Sequence, residues 1–226
     1  MTALLIKICG LSTPETLDVA LESGADLVGF VFFPPSPRSL GLAAARTLGA
    51  RVKGRAGKVA LSVDADDAVL DAVVEALEPD MLQLHGKESR ARVSAIKARY
   101  GLPVMKAIAV ETRADLDVVP AYAGIADRLI FDARPPREAT RPGGLGTPFD
   151  WRLLENLDPG VPFMLSGGLD ADNVAEALSV TRAGGVDVSS GVERAPGEKD
   201  PDRIRAFIRA ARKAAERLGA KIASTA

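Results

Sequence analysis

"LLIKICGLSTPETLDVALESGADLVGFVF", residues 4–32, holds one complete strand–helix–strand repeat. The first apolar run, "LLIKI", is followed by Cys9 and Gly10. Thr13 before Pro14 is an N-cap signal, with proline at the first helical position. "DLVGFVF" (26–32) is the second apolar run. Runs rich in Val, Ile and Leu, with little polar alternation, suit parallel strands covered on both faces.

The repeat continues along the chain. Further strands are predicted at "KVALSV" (58–63), "DMLQL" (80–84), "PVMKAIA" (103–109), "DRLIF" (127–131), "PFMLS" (162–166) and "GVDVS" (185–189). Helices are predicted between them, including "RADLDVVPAYAG" (113–124) and "FDWRLLENL" (149–157), with a closing helix from Pro201 capped by Asp200. Roughly eight strand–helix units without a composition break predict a single-domain (β/α)8 TIM barrel over residues 1–226. The first turn lacks the GxGxxG pattern of a dinucleotide-binding sheet.

The 226 residues are 47% hydrophobic and 26% charged, with a net charge of -1, so neither nucleic acid nor an anionic membrane is expected as partner. One cysteine and one histidine exclude an intrachain disulfide and a Cys/His metal cluster. No apolar run approaches the ~20 residues of a membrane span, and the first residues do not read as a signal peptide. A soluble cytoplasmic protein is expected, monomeric by default with a homodimer as the alternative.

In such a barrel the chemistry belongs at the C-terminal ends of the strands. After strands seven and eight stand "SGGLDADNV" (166–174) and "SSGVE" (189–193), where glycines let backbone N–H groups approach an anion. Gly167 and Gly168, with Ser189, Ser190 and Gly191, therefore form a candidate phosphate site, with "RPGGLGTPFD" (141–150) after strand six in reach. The alternative is that these glycines only permit tight turns.

Strand parity puts Leu5, Lys7 and Cys9 on one face and Ile6 and Ile8 on the other. Cys9 is then either a packed thiol or a reacting one, with the Lys7 cation favouring thiolate. Asp132, ending strand six, suits a general acid, or else an N-cap or a salt bridge to Arg134. Arg38 in "PPSPRS" suits a carboxylate clamp or a solvated surface position. Asp187 is placed to pair with Lys7 inside the barrel. His85, two residues after Gln83, is a candidate base or, with nothing upstream to make a triad, a residue that orients a neighbour.

Taken together and in order, "KICG", "GADLVGFVF", "SPRS", "QLHG", "FDA", "GGLGTPFDW", "SGGL…NV" and "VDVSSGVE…PGEKD" resemble the phosphoribosylanthranilate isomerase family of tryptophan biosynthesis. The resemblance implies an Amadori rearrangement of N-(5-phosphoribosyl)anthranilate to 1-(2-carboxyphenylamino)-1-deoxyribulose 5-phosphate, without metal or other cofactor. It implies Cys9 as general base and Asp132 as general acid. Arg38 would hold the anthranilate carboxylate, Gln83 and His85 would belong to the substrate site, and phosphate would lie against Gly144, Gly146, Gly168, Ser190 and Gly191. Two positions depart from the family pattern: Leu145 stands where a small hydroxyl residue is common, and Ser166 where alanine is usual. Rival readings are a histidine-pathway aminoaldose isomerase, an indole-forming synthase and a non-catalytic sugar-phosphate-binding barrel. The aminoaldose isomerase would be expected to carry aspartate in place of Cys9.

Overall fold

The computed structural model describes residues 3–134 and 148–223. Eight parallel strands close into a barrel in sequence order: β1 (Leu5–Cys9), β2 (Leu27–Phe32), β3 (Gly57–Ser62), β4 (Met81–Leu84), β5 (Val104–Val110), β6 (Arg128–Ala133), β7 (Phe163–Leu165) and β8 (Gly185–Val188). The predicted (β/α)8 architecture is what the chain adopts. Outside the barrel lie α1 (Pro14–Glu22), α2 (Leu42–Val52), α3 (Asp67–Leu77), α4 (Arg90–Tyr100), α5 (Val119–Ala123), α6 (Val174–Thr181) and α7 (Pro201–Ala223). Thr13 caps α1 by accepting from the Thr16 N–H at 3.3 Å, as the sequence signal predicts.

Two predicted helices differ. "RADLDVVPAYAG" forms a 3-10 stretch, Arg113–Val118, that runs directly into the short α5 at Val119, with Pro120 in its first turn. "FDWRLLENL" forms only one 3-10 turn, Trp151–Leu154. Glu155 ends it by turning extended, ψ 126°, Asn156 follows in the left-handed conformation, φ 59°, and Pro159 lies just beyond. After β8 a short 3-10 turn (Ser190–Val192) leads into an antiparallel ribbon, β9 (Glu193–Ala195) with β10 (Glu198–Lys199), that the sequence reading did not anticipate.

Side-chain parity divides each strand between two cores. Outward residues such as Ile6, Ile8, Val28, Leu82, Leu129 and Val186 pack with the helices. Inward residues fill the lumen. Val59, Met105, Ala107, Ile130 and Met164 form its apolar floor with Leu5, Leu27 and Met81. Above that floor the lumen turns polar.

Closure pairs β1 with β8 and sets Lys7 opposite Asp187. Lys7 Nζ donates to Asp187 Oδ1 at 2.8 Å, with both side chains almost wholly out of water. Gly29 on β2 makes room, since a Cβ there would lie 2.9 Å from Lys7 Nζ and 3.0 Å from Cys9 Sγ. Burial opposes the Lys7 charge, but Asp187 and Cys9 outweigh it and hold the ammonium above its ordinary range.

Lys7→Met should cost ~3–5 kcal/mol in denaturant unfolding, because Asp187 is left buried without its counter-charge. The double variant Lys7→Met/Asp187→Leu should recover most of that loss. A single variant as stable as a typical surface substitution would show that the pair does not hold the closure.

Candidate active site

Strand ends β1, β6, β7 and β8, with the loops after β2 and β4, surround one cleft at the C-terminal mouth. Cys9, Arg38, His85, Asp132, Gly168 and Ser190 all line it. The structure thus brings together six of the ten residues singled out from the sequence. Gln83 is fully buried and stands behind His85 without lining the cleft. Gly191 packs against the β7 loop instead, where a Cβ would fall 1.9 Å from the Leu169 carbonyl oxygen. Gly144, Gly146 and Leu145 lie outside the described residues.

Cys9 closes β1 inside the lumen, against Val31 and Leu61, as parity predicts. It is 4% exposed, and its Sγ faces the Lys7 ammonium. Burial pushes the thiol up. Lys7 works against that rise without cancelling it, while Asp187 adds to it. In the free protein Lys7 alone therefore does not hold Cys9 as a thiolate. Ser166, the residue departing from the family pattern, donates from Oγ to Asp187 Oδ2 at 3.1 Å, so Asp187 is held at both oxygens.

Asp132 ends β6 with Oδ1 accepting from the Ala133 N–H at 3.0 Å and Oδ2 3.0 Å from His85 Nε2. Arg134 does not pair with it; its guanidinium turns to Asp115 and the Ala109 carbonyl. Gly167, φ 84°, lets the β7 loop lie directly on this acid, since a Cβ would meet the Ala133 nitrogen at 2.4 Å.

His85 is held from behind by Gln83, whose Nε2 lies 3.0 Å from Nδ1. With the amide nitrogen there, Nε2 carries the ring proton and Asp132 accepts it. Half a turn of the amide sets Gln83 Oε1 against Nδ1–H and leaves Nε2 to accept a proton from Asp132. In the first orientation Oε1 is buried without a partner among the described residues. Two amide orientations thus match two protonation states of the same carboxyl.

Arg38 is no solvated arginine: it is 4% exposed, and Nε and Nη2 each donate to Glu193 at 2.7 Å. Gly10, φ 76°, lets its stem pass, because a Cβ there would come within 2.6 Å of Arg38 Cδ. This explains the glycine of "KICG". Glu193 and Lys199 were missed by the sequence reading. Both lie within the "VDVSSGVE…PGEKD" motif, and the Pro196-Gly197 turn dipeptide stands between them. Among the described residues, no three His, Cys, Asp or Glu side chains are grouped to hold a metal ion, and no helix is long and apolar enough to cross a membrane.

A closed barrel with a thiol, a carboxyl, a buried guanidinium and glycine-rich loops at one mouth has the layout of a (β/α)8-barrel enzyme. Residues 6–210 match the family model of N-(5'-phosphoribosyl)anthranilate (PRA) isomerase. The N-(5'-phosphoribosyl)anthranilate isomerase of Nitrobacter hamburgensis is 69% identical over 212 residues, 94% of each chain. The crystal structure of phosphoribosyl anthranilate isomerase from Thermotoga maritima superimposes with a TM-score of 0.84 at 34% identity, covering 93% of this chain and 99% of that one. A similar match, TM-score 0.81 at 33% identity with the same coverage, is to a phosphoribosyl anthranilate isomerase in complex with reduced 1-(o-carboxyphenylamino)-1-deoxyribulose 5-phosphate. The chain belongs to the N-(5'-phosphoribosyl)anthranilate isomerase family, and it is an isomerase of tryptophan biosynthesis.

The Cys9 thiol should titrate above its ordinary value of 9.0, read as thiolate absorbance against a Cys9→Ser reference. Because the unfolded chain would ionise first, native stability relative to Cys9→Ser should fall as the pH climbs past that value. A midpoint below it would show that Lys7 outweighs burial.

Proposed function

We propose that Cys9 and Asp132 are the base and acid of the Amadori rearrangement. The observation that carries this reading is their common placement on one cleft wall, three strands apart around the barrel, with Arg38 and the β7 and β8 loops at the same mouth. The substrate is N-(5-phosphoribosyl)anthranilate. Its phosphate lies against backbone N–H groups around Gly168, Ser190 and Gly191, with Gly144 and Gly146 contributing from the loop after β6. Its carboxylate meets Arg38, whose guanidinium has five N–H donors, two of them directed at Glu193.

Asp132 in its acid form protonates the furanose ring oxygen. The C1′–O bond breaks, the ring oxygen becomes the 4′ hydroxyl, and the anthranilate nitrogen becomes an iminium. Cys9 as thiolate then removes the proton on C2′, the C–H electron pair becomes the C1′–C2′ double bond, and the iminium is neutralised to an enolamine. Moving the enol proton to C1′ gives the ketone. The timing supports a buried thiol as base. Ring opening places a positive charge in the cleft just when Cys9 must be ionised, adding to Lys7. Asp132 in its acid form matches the orientation in which Gln83 Oε1 accepts from His85, so His85 and Gln83 serve the acid more directly than the substrate.

Every residue in this reading comes from one chain, so the proposed chemistry needs no second subunit. We place the reaction in the cytoplasm, where a reduced Cys9 is maintained.

Loss of anthranilate-type fluorescence from freshly made phosphoribosylanthranilate tests the reading. Cys9→Ser and Asp132→Asn should each lower kcat by ~10²–10⁴-fold with circular dichroism unchanged. Near-wild-type turnover in either variant would remove that residue from its role.

A further inference from the structure

The ribbon β9–β10 carries two charged side chains into the interior, Glu193 at 5% and Lys199 at 7% exposure. Lys199 Nζ donates to Glu193 Oε1 at 2.7 Å, to the Ser189 carbonyl at 2.9 Å, and lies 3.1 Å from Ser189 Oγ. That hydroxyl in turn donates to the Cys9 carbonyl at 3.1 Å. The carboxylate of Glu193 also receives Arg38 Nε and Nη2 and, at 3.2 Å, the Gly197 N–H. Arg38, Glu193 and Lys199 therefore form a continuous buried row, cation–anion–cation, from the loop after β2 to the loop after β8.

Such a row is a poor way to gain stability, since desolvating ions costs about as much as their attraction returns. It also bears one surplus positive charge. Lys7 with Asp187 is a balanced pair in the lumen below, so the row supplies positive charge at the mouth itself. We propose that Glu193 and Lys199 are positioning residues for the reaction: they fix the Arg38 guanidinium in the cleft and the Ser189 loop beneath it, and lend the site the net positive charge that attracts a substrate anionic at both ends. This rests on the reading of Arg38 as partner of the substrate carboxylate.

Lys199 is faced by Glu193 of β9, by Arg38, by Cys9 of β1 and by Ser189, while Arg203 of α7 holds the Glu193 carbonyl. Burial lowers its ammonium to about 8, with Glu193 resisting and Arg38 adding to the fall. Below that pH the row carries its surplus charge; above it the row is neutral. Anion binding favours the charged form, so the affinity for substrate weakens as the pH rises through this value. Cys9 responds in the opposite sense, since higher pH favours its thiolate.

The test is the KM and kcat of the fluorescence reaction from about pH 6.5 to about pH 9.5. It compares wild type with Lys199→Met, Glu193→Gln and Arg38→Met, each checked by circular dichroism. Wild-type KM should rise about three- to tenfold across the range, the effect of removing one charge from the cleft wall. Lys199→Met and Glu193→Gln should start from a raised KM, with a larger effect on KM than on kcat, and Lys199→Met should lose the pH-dependent rise. A wild-type KM that stays flat, or a folded Lys199→Met that keeps the wild-type KM and its pH profile, would overturn the proposal. If Lys199→Met does not fold, the wild-type profile decides. An unchanged KM in Arg38→Met would instead sink the reading of Arg38. A raised KM there, beside normal values in the ribbon variants, would sink only the positioning role.

Discussion

Lys7 and Asp187 meet inside the barrel on the two strands whose pairing closes it. Neither charge is tolerable there alone, because a buried unpaired ion costs several kcal/mol. Their meeting fixes the phase of both strands. With Lys7 inward, Cys9 two residues on is inward as well; with Asp187 inward, so is Ser189. A slip by one residue would turn the thiol and the Ser189 loop toward the helices and bring Ile6 and Ile8 into the lumen. One ion pair at the seam thus places both the thiol and the loop across the closure from it.

The lumen is layered for the same reason. Its floor of Val59, Met105, Ile130 and Met164 has no polar group to satisfy and simply packs. Above it the inward polar groups are tied together, Lys7 and Ser166 on Asp187, Gln83 Nε2 on His85 and His85 on Asp132, while Gln83 Oε1 has no partner among the described residues. Side chains held by two contacts cannot drift, which is the requirement for acid–base work at a defined atom. The Cys9 thiol is the exception. It is kept by packing and by the field of its neighbours, and burial pushes it up against the pull of Lys7.

Much of the site is legible in the chain because strand ends carry it. Cys9 and Asp132 stand where an apolar run stops, and parity suffices to aim them inward. Arg38 is legible by residue type, yet its burial is not, because the carboxylate that buries it lies 155 residues further on. Glu193 and Lys199 look like ordinary surface charges in "SSGVERAPGEKD", and only the ribbon folding back against the loop after β2 takes them out of water. Gln83 and His85 stand together in sequence, but the partner that explains both is Asp132, 47 residues beyond His85. The segment at Trp151–Leu154 forms one 3-10 turn where its apolar spacing predicts a helix, because spacing cannot register the extended turn of the backbone at Glu155.

By itself, the sequence determines the alternation of strands and helices, hence the barrel, and through the two-residue period which side chains enter its lumen. Its ordered motifs also carry the family resemblance that puts Cys9 forward as base and Asp132 as acid. Tertiary structure alone decides which charges meet. Lys7 finds Asp187 across 180 residues of chain, and Arg38 meets the Glu193–Lys199 ribbon from a segment 155 residues before Glu193. It decides protonation for the same reason, because the energy of a charge depends on the water removed from it and on the ions brought beside it. Both are fixed only when the barrel closes.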